Sequence, residues 1–248
     1  MTQIYRSLYY FDVLQELNLR SFEFADNFAY PIIFQTDQLL QLIDTVTLSV
    51  LYCEYDAEHI DLEVQHMFVD SFDDFNVTGQ FINAGDDFDC IQLCMYIPES
   101  QVNQVQFSQN QWCLVCHEIA QTLDHEIIHG RQAKNRQYYL EQNKRIKSCK
   151  THEQYFKLND EVGAYAYTAA LDLLRYFTPK QAINYLTNYQ SQQALIYLDG
   201  QEEERISPTL EIYHLLFSEN DKQVWQTLLQ KVVQCINTVT TERANETI

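Results

Sequence analysis

Hydrophobic residues recur at two different periods along this chain, and the period changes near Pro98. Upstream of Pro98, runs rich in Val, Ile, Phe, Tyr and Thr alternate with clusters of Asp, Asn and Gly, a pattern typical of strands joined by short loops. Four strands are predicted, at residues 45–55, 60–69, 77–83 and 90–97. Because their connections are short, we expect an antiparallel sheet. Ahead of them, residues 4–19 and 36–43 have helical spacing, although Tyr and Phe in the first segment also suit a strand.

Downstream of Pro98 the apolar period becomes that of an α-helix. Ser108 followed by Gln111 matches a capping box, and apolar residues then recur every four positions, so a strong amphipathic helix is predicted at residues 109–135. Further helices are predicted from residue 152 or 153 to 177 and at residues 179–198, 208–217 and 222–236, with a polar, poorly ordered tail from about residue 240 to 248. The predicted fold class is α+β, with an antiparallel sheet lobe at residues 1–107 followed by a helical lobe at residues 108–248.

Acidic residues outnumber basic ones by 35 to 16, which gives a formal net charge of −19. This excess argues against binding to nucleic acid phosphates or to an anionic membrane. Acidic side chains are densest between Glu54 and Asp74. We interpret that stretch as a solvated sheet face and loop. The alternative is a surface that mimics the charge of DNA and occupies a nucleic-acid-binding enzyme.

The cysteine content and the hydropathy of the chain indicate the cellular compartment in which the protein is expected. The chain has seven cysteines, so at least one is unpaired, and residues 1–20 lack the apolar segment of a signal peptide. No run approaches the roughly 20 apolar residues of a membrane-spanning helix. We therefore expect a soluble protein in the reducing cytoplasm. Cys113 and Cys116 form a Cys-x-x-Cys pair inside a helical pattern, with no second pair at zinc-site spacing, and are expected to be buried thiols.

The chemistry of the chain centres on His125-Glu126-Ile127-Ile128-His129, an H-E-x-x-H motif within the predicted helix 109–135. Residues four apart share a helix face, with their bases about 6 Å apart, so His125 and His129 can bind one Zn²⁺ ion. Glu126 is predicted to lie beside the metal as general base, taking a proton from the attacking water. One zinc ion per chain is therefore expected, although two histidines and a carboxylate suit several first-row metals.

A catalytic zinc site needs a third protein ligand from elsewhere in the chain. Glu161 is the preferred candidate, because small residues follow it (Gly163, Ala164, Ala166, Ala169 and Ala170) and would let its helix approach the motif helix. Asp160 is the rival ligand, or a partner that orients a ligand histidine. Glu153 and His152 are weaker candidates. Asn135 stands where a metzincin has its third histidine, which excludes that variant, and His117 lies about 12 Å along the helix from His125, too far to share its ion.

Peptide hydrolysis also needs a hydrogen-bond donor for the developing oxyanion. Tyr165, one turn after Glu161, is the predicted catalytic donor, with Tyr167 and His214 as more distant options. In a chain with 17 tyrosines, plain packing is the alternative for each of them.

The motif and the phrase Asp160-Glu161-Val162-Gly163-Ala164-Tyr165-Ala166 resemble the gluzincin branch of the zincin metallopeptidases, and look like segments of small metallopeptidases encoded by tailed phages. The resemblance covers roughly residues 109–170. Tyr165 stands where the family often has an aspartate. The resemblance implies a zinc-dependent hydrolase with a zincin-like fold, in which both lobes form one compact catalytic unit and the active-site helix lies between them.

The same resemblance implies a peptide or protein substrate whose extended backbone pairs with the last strand before the motif helix, residues 90–97. If the protein is viral, the host cytoplasm or the virion is its expected location. Two other functions stay open at this point: a structural or interaction protein, such as a virion component, that keeps a zincin fold, and the acidic decoy described above. The sequence leaves the oligomeric state undetermined.

Overall fold

A computed structural model describes residues 8–54, 60–69, 76–83, 89–133, 149–189, 195–198 and 202–246. The fold is mixed α+β, as predicted. Its helices are α1 (Leu8–Phe24), α2 (Thr36–Glu54), α3 (Gln109–Ala133), α4 (His152–Phe156), α5 (Asn159–Tyr176), α6 (Pro179–Thr187), α7 (Pro208–Phe217) and α8 (Lys222–Glu246), with a 3₁₀ turn at Glu99–Gln101. Its strands are β1 (Ile32–Gln35), β2 (Ile60–Val69), β3 (Asn76–Asn83), β4 (Asp89–Pro98), β5 (Gln104–Phe107), β6 (Leu195–Leu198) and β7 (Glu202–Arg205).

The chain forms two compact units, one of Ser7–Arg131 and one of Met1–Arg6 with Gln132–Ile248. Within the described residues, no helix is both long enough and apolar enough to cross a membrane. The free cysteines agree only in part with the expectation of buried thiols, since Cys116 is buried whereas Cys113 is exposed. Two residues three apart on a helix point in directions about 60° apart, so one of them can face solvent at the border of a buried stripe.

The three-stranded sheet of the first unit has the order β2-β4-β3. β2 pairs with β4 in parallel, whereas β3 pairs with β4 antiparallel. The expectation of a wholly antiparallel sheet is therefore wrong for β2 and β4. Instead of folding back on its immediate predecessor, β2, the chain places β3 on the far side of β4. One face of β4 is fully buried, through Ile91, Leu93, Met95 and Ile97.

The strand predicted at residues 45–55 is wrong, because residues up to Glu54 belong to the long helix α2. Val46 and Thr47 favour strands as isolated residues. In the helix, however, Leu39, Leu42, Ile43 and Val46 are all fully buried at spacings of three, one and three, which buries one helix face. The Thr47 hydroxyl donates to the Ile43 carbonyl oxygen at 2.7 Å, so its burial is satisfied within the helix.

The second unit is built mainly from helices. Small and apolar residues of α5 share one buried cluster with residues of α8: Ala166, Ala169, Ala170 and Leu173 with Leu228, Val232 and Ile236. The single helix predicted from residue 152 to 177 is two helices, because α4 ends before Lys157 and Leu158 has an extended backbone ahead of α5. The expected polar tail from residue 240 is also wrong as far as Glu246, where α8 ends.

The helix predicted at residues 179–198 ends at Thr187, and its last four residues form strand β6 instead. β6 pairs antiparallel with β7, from Leu195 opposite Arg205 to Leu198 opposite Glu202. The β-branched and aromatic residues Ile196 and Tyr197 suit such a hairpin strand. The apolar spacing of the preceding helix does not extend that far, and pairing with the next strand along the chain favours a strand here.

Candidate metal centre

Helix α3 carries the H-E-x-x-H motif and begins where the sequence predicts. The Gln111 amide donates to the Ser108 hydroxyl at 3.3 Å, and the Ser108 amide donates to the Gln111 side-chain oxygen at 2.9 Å, which is a complete capping box. One turn on, the fully buried Trp112 packs against the rings of Phe34 and Phe107. The four predicted apolar positions are buried: Val115, Ile119, Leu123 and Ile127. The helix that presents the motif is thus fixed at its start and along one face.

His125 and His129 lie on adjacent turns of α3 with their rings together. The two Nε2 atoms are 3.1 Å apart, and the rings are edge to face, with centroids 4.8 Å apart. Two nitrogens bound to one tetrahedral zinc ion, each at about 2.1 Å, would lie about 3.4 Å apart. The observed distance therefore suits two ligands of a common cation as well as an N–H···N hydrogen bond.

The protonation state of His125 favours metal binding. Burial is the main cause that lowers its pKa well below the ordinary value, and the neighbouring His129 lowers it further. A neutral imidazole keeps a lone pair for a metal ion, whereas a protonated one has none to offer. His125 is therefore a competent ligand at neutral pH.

Glu126 is buried, with 7% of its surface exposed. It follows His125 directly, so it points about 100° round the helix from the ligand face. On that side lies β3, where Gly79 faces the Glu126 side chain. A buried carboxylate beside two candidate ligands is the arrangement that a general base for a metal-bound reactant requires.

Glu161 lies in the first turn of α5 and is 2% exposed. His125, His129 and Glu161 each offer one possible ligand atom, and these three atoms all lie within 4.8 Å of one another. Among the described residues, this is the one group of three or more such side chains that could hold a metal ion. Two imidazole nitrogens and a carboxylate oxygen are the donor set of many catalytic zinc sites, and three ligands leave a fourth position open. The residues therefore fit a zinc ion in chemistry and in number.

The rival ligands have other surroundings. The charge of Asp160 raises the pKa of Lys231, although burial, the larger effect, lowers it overall; Asp160 thus lies near an ammonium group of α8. Glu153 forms an ion pair with Lys157 at 2.8 Å. His152 is exposed at the start of α4. None of the three belongs to the group formed by the two histidines and Glu161.

The candidate oxyanion donors lie among aromatic rings. The half-buried ring of Tyr165 packs against Phe156 and Tyr213, with centroids 5.2 and 5.8 Å away. Tyr167 is buried on the same helix. His214 packs against Tyr189 and Trp225, both at 5.3 Å. Of the three, Tyr165 is the one that follows Glu161 by a full helical turn and shares its face.

Tyr213 was missed by the sequence analysis. It is fully buried, and its hydroxyl donates to the Phe156 carbonyl oxygen at 2.9 Å. Burial raises the pKa of Tyr213 above the ordinary value, and the neighbouring Tyr165 and Glu161 raise it further. Tyr213 thus lines the surroundings of Glu161. Only its position in a buried stripe of α7 marks it in the sequence, a signal it shares with Leu210 and Phe217.

The strand expected to bind substrate needs correction. β4, residues 89–98, has both edges occupied, by β2 on one side and β3 on the other. A strand paired on both sides has no backbone groups left to receive a peptide. Among the described strands, β2 and β3 are the edges of this sheet, and β3 is the one that lies against Glu126.

Comparisons with models of protein families, with curated proteins and with solved structures found no match to this chain.

Proposed function

We propose that this chain is a zinc-dependent metallopeptidase with a zincin-like arrangement, in which His125, His129 and Glu161 hold the metal ion. The observation that carries the proposal is the pair of half-buried imidazoles whose Nε2 atoms lie 3.1 Å apart, with the buried Glu126 as the next residue after His125. The grouping of these nitrogens with a Glu161 oxygen supports it.

Each residue has a separate task in peptide hydrolysis. When bound, zinc supplies Lewis acidity, which polarises the scissile carbonyl and lowers the pKa of water. Glu126 accepts the proton that water loses as its oxygen bonds to the carbonyl carbon. Glu126 then delivers that proton to the nitrogen as the carbon–nitrogen bond breaks, so that an amine leaves. Tyr165 donates a hydrogen bond to the oxyanion that forms between these two steps.

The substrate is an extended peptide that pairs with the outer edge of β3. In the described sheet β3 is an edge strand, and it runs antiparallel to β4. Its residue Gly79 lies against Glu126, so a peptide added along this edge brings its backbone near the general base. Backbone pairing of this kind binds many sequences, and side-chain pockets then provide the selectivity.

The deciding experiment compares the intact protein with Glu126→Gln. Glutamine has nearly the same shape but cannot accept a proton, so we expect zinc content to be unchanged and hydrolysis of a mixed peptide library to be lost, by at least about 100-fold. Glu118→Gln, on the same helix, is the matched control and should keep its turnover. Unchanged turnover in Glu126→Gln refutes the proposed mechanism. A stoichiometric zinc ion with no hydrolysis of any peptide favours a structural or interaction protein instead.

A further inference from the structure

Gly79 is a glycine in the middle of strand β3, where glycine is normally unfavourable. It costs roughly 0.5–1 kcal/mol relative to alanine, because the flexible backbone must be ordered and no side chain packs. Gly79 pairs with Leu93 in the regular antiparallel ladder, and its backbone lies in a region that any residue adopts. The backbone conformation therefore does not require a glycine at position 79. The reason for it lies in the space around the residue.

The space beside Gly79 is taken by helix α3. A Cβ atom at position 79 would lie 2.7 Å from Cγ of Glu126, 2.7 Å from Cγ2 of Thr122 and 3.1 Å from Oε1 of Glu126. A Cβ atom essentially never has a non-bonded neighbour closer than 3.0 Å, so a side chain at this position must displace the Glu126 and Thr122 atoms. The Glu126 side chain therefore takes up space that a methyl group at position 79 would need.

We propose that Gly79 is a positioning residue for the general base: its lack of a side chain lets Glu126 lie between β3 and α3 in the rotamer that directs its carboxylate to the reacting water. This inference rests on the proposed function. It adds that the same strand both receives the peptide and sets the place of the base. The distance from base to substrate is then fixed by a single strand-to-helix contact.

Gly130 offers a matched comparison at the same interface. The three atoms nearest to a Cβ atom there all belong to the ring of Phe81, with Cε2 at 3.0 Å and the next two at 3.5 and 3.6 Å. A ring edge can shift by a few tenths of an ångström, and alanine favours a helix over glycine by about 1 kcal/mol. Gly130→Ala therefore keeps its activity, whereas Gly79→Ala does not.

The activity test uses Gly79→Ala, Thr122→Ala and the double variant. We expect Gly79→Ala to bind zinc as the intact protein does but to lose roughly 100-fold in kcat, the effect of misplacing a reacting group by about 1 Å. Thr122→Ala alone should keep its activity. In the double variant kcat should stay low, because Glu126 is still displaced. Full activity in Gly79→Ala, or recovery in the double variant, overturns the proposal, since recovery means that the space serves Thr122.

A second test needs no activity and so separates this inference from the proposed function. In zinc-free protein, Gly79→Ala should lower the melting temperature by about 4 °C or more. In a Glu126→Ala background the same change should cost clearly less, because two of the three nearest atoms, Cγ and Oε1 of Glu126, are gone and only Cγ2 of Thr122 remains. Equal losses in the two backgrounds overturn the proposal. If Gly79→Ala does not fold by itself, restored folding with Glu126→Ala supports it, and failure to restore folding counts against it.

Discussion

The hydroxyl oxygen of Tyr10 lies 2.6 Å from Nδ1 of His117, a buried hydrogen bond that joins α1 to α3. The two rings also pack edge to face, with centroids 5.6 Å apart. His117 lies on the same helix as His125 and His129 but belongs to a packing contact eight residues earlier. A single helix thus carries one histidine that holds the fold together and two that face each other.

Metal content should depend on the paired histidines and Glu161 and not on His117. We expect about one zinc ion per chain in the purified protein and a loss of most of it in His125→Ala, His129→Ala and Glu161→Ala. His117→Gln should keep its zinc, although it loses some stability with the Tyr10 contact. Elemental analysis after dialysis against a weak chelator measures this. Equal zinc in Glu161→Ala and the intact protein would exclude Glu161 as a ligand, and Asp160→Ala is the next variant to examine.

The start of α7 depends on a buried pair in the second unit. The Ser207 hydroxyl donates to Oδ2 of Asp172 at 2.6 Å and accepts from the Leu210 amide at 3.3 Å. Ser207→Ala removes a helix cap and a buried donor to a carboxylate, and should lower the free energy of unfolding by about 1–3 kcal/mol. Ser207→Thr keeps the hydroxyl and should lose less. Urea unfolding measures the stability of both variants. Thr187→Ala is the control: the Thr187 hydroxyl is exposed and donates to the Ile183 carbonyl oxygen at 2.9 Å. Its free energy of unfolding should stay within about 0.5 kcal/mol of that of the intact protein.

Close packing of α5 depends on its small residues. Ala166 is fully buried in the cluster that includes Val232 of α8, so Ala166→Leu must move a helix or adopt a strained rotamer. We expect a loss of about 1–3 kcal/mol in the free energy of unfolding, again by urea titration. Gln230→Leu adds the same side chain on the exposed face of α8 and should change stability little. Equal stability of Ala166→Leu would mean that the two helices are not tightly packed.

Thiol reactivity should separate the cysteines by burial. Burial raises the pKa of the Cys235 thiol to about 12, although the charge of Lys231 partly opposes this, and burial also raises the pKa of Cys116. Because only the thiolate reacts, both groups stay protonated and unreactive between pH 7 and 9. Among the cysteines whose exposure the structure describes, the exposed Cys113 should be alkylated first. Mass spectrometry of iodoacetamide-treated, folded protein checks the order, and rapid labelling of Cys235 would contradict it.

The sequence predicted those elements whose signals are local. The capping pair Ser108 and Gln111 and the regular apolar period predicted α3, and with it the shared face of His125 and His129. The strands at residues 60–69, 77–83 and 90–97 were also predicted within a residue at each end. These signals need no knowledge of distant residues, because each depends on neighbours within one or two turns of the chain.

Two of the errors have a common cause in tertiary contacts. Residues 45–54 contain strand-favouring Val and Thr but lie in a helix, because Leu42, Ile43 and Val46 bury one face together. The parallel pairing of β2 with β4 depends on which segments meet in space, whereas the β6–β7 hairpin is a local pairing that the helical prediction for residues 179–198 missed. Nothing in the sequence marks Gly79, because its role depends on contact with the Glu126 side chain, 47 positions away. No local pattern encodes such a contact.

The central position of β4 has a consequence for the order of folding. β2 and β3 are consecutive in the chain, yet neither pairs with the other, since each bonds only to the strand that follows both. A nascent chain that ends at residue 83 therefore contains two strands and none of this sheet's hydrogen bonds. All of them form once residues 89–98 arrive, immediately ahead of β5 and α3 in the sequence. We expect the sheet to form in one cooperative, comparatively slow step, because the parallel pairing closes a loop of nearly thirty residues.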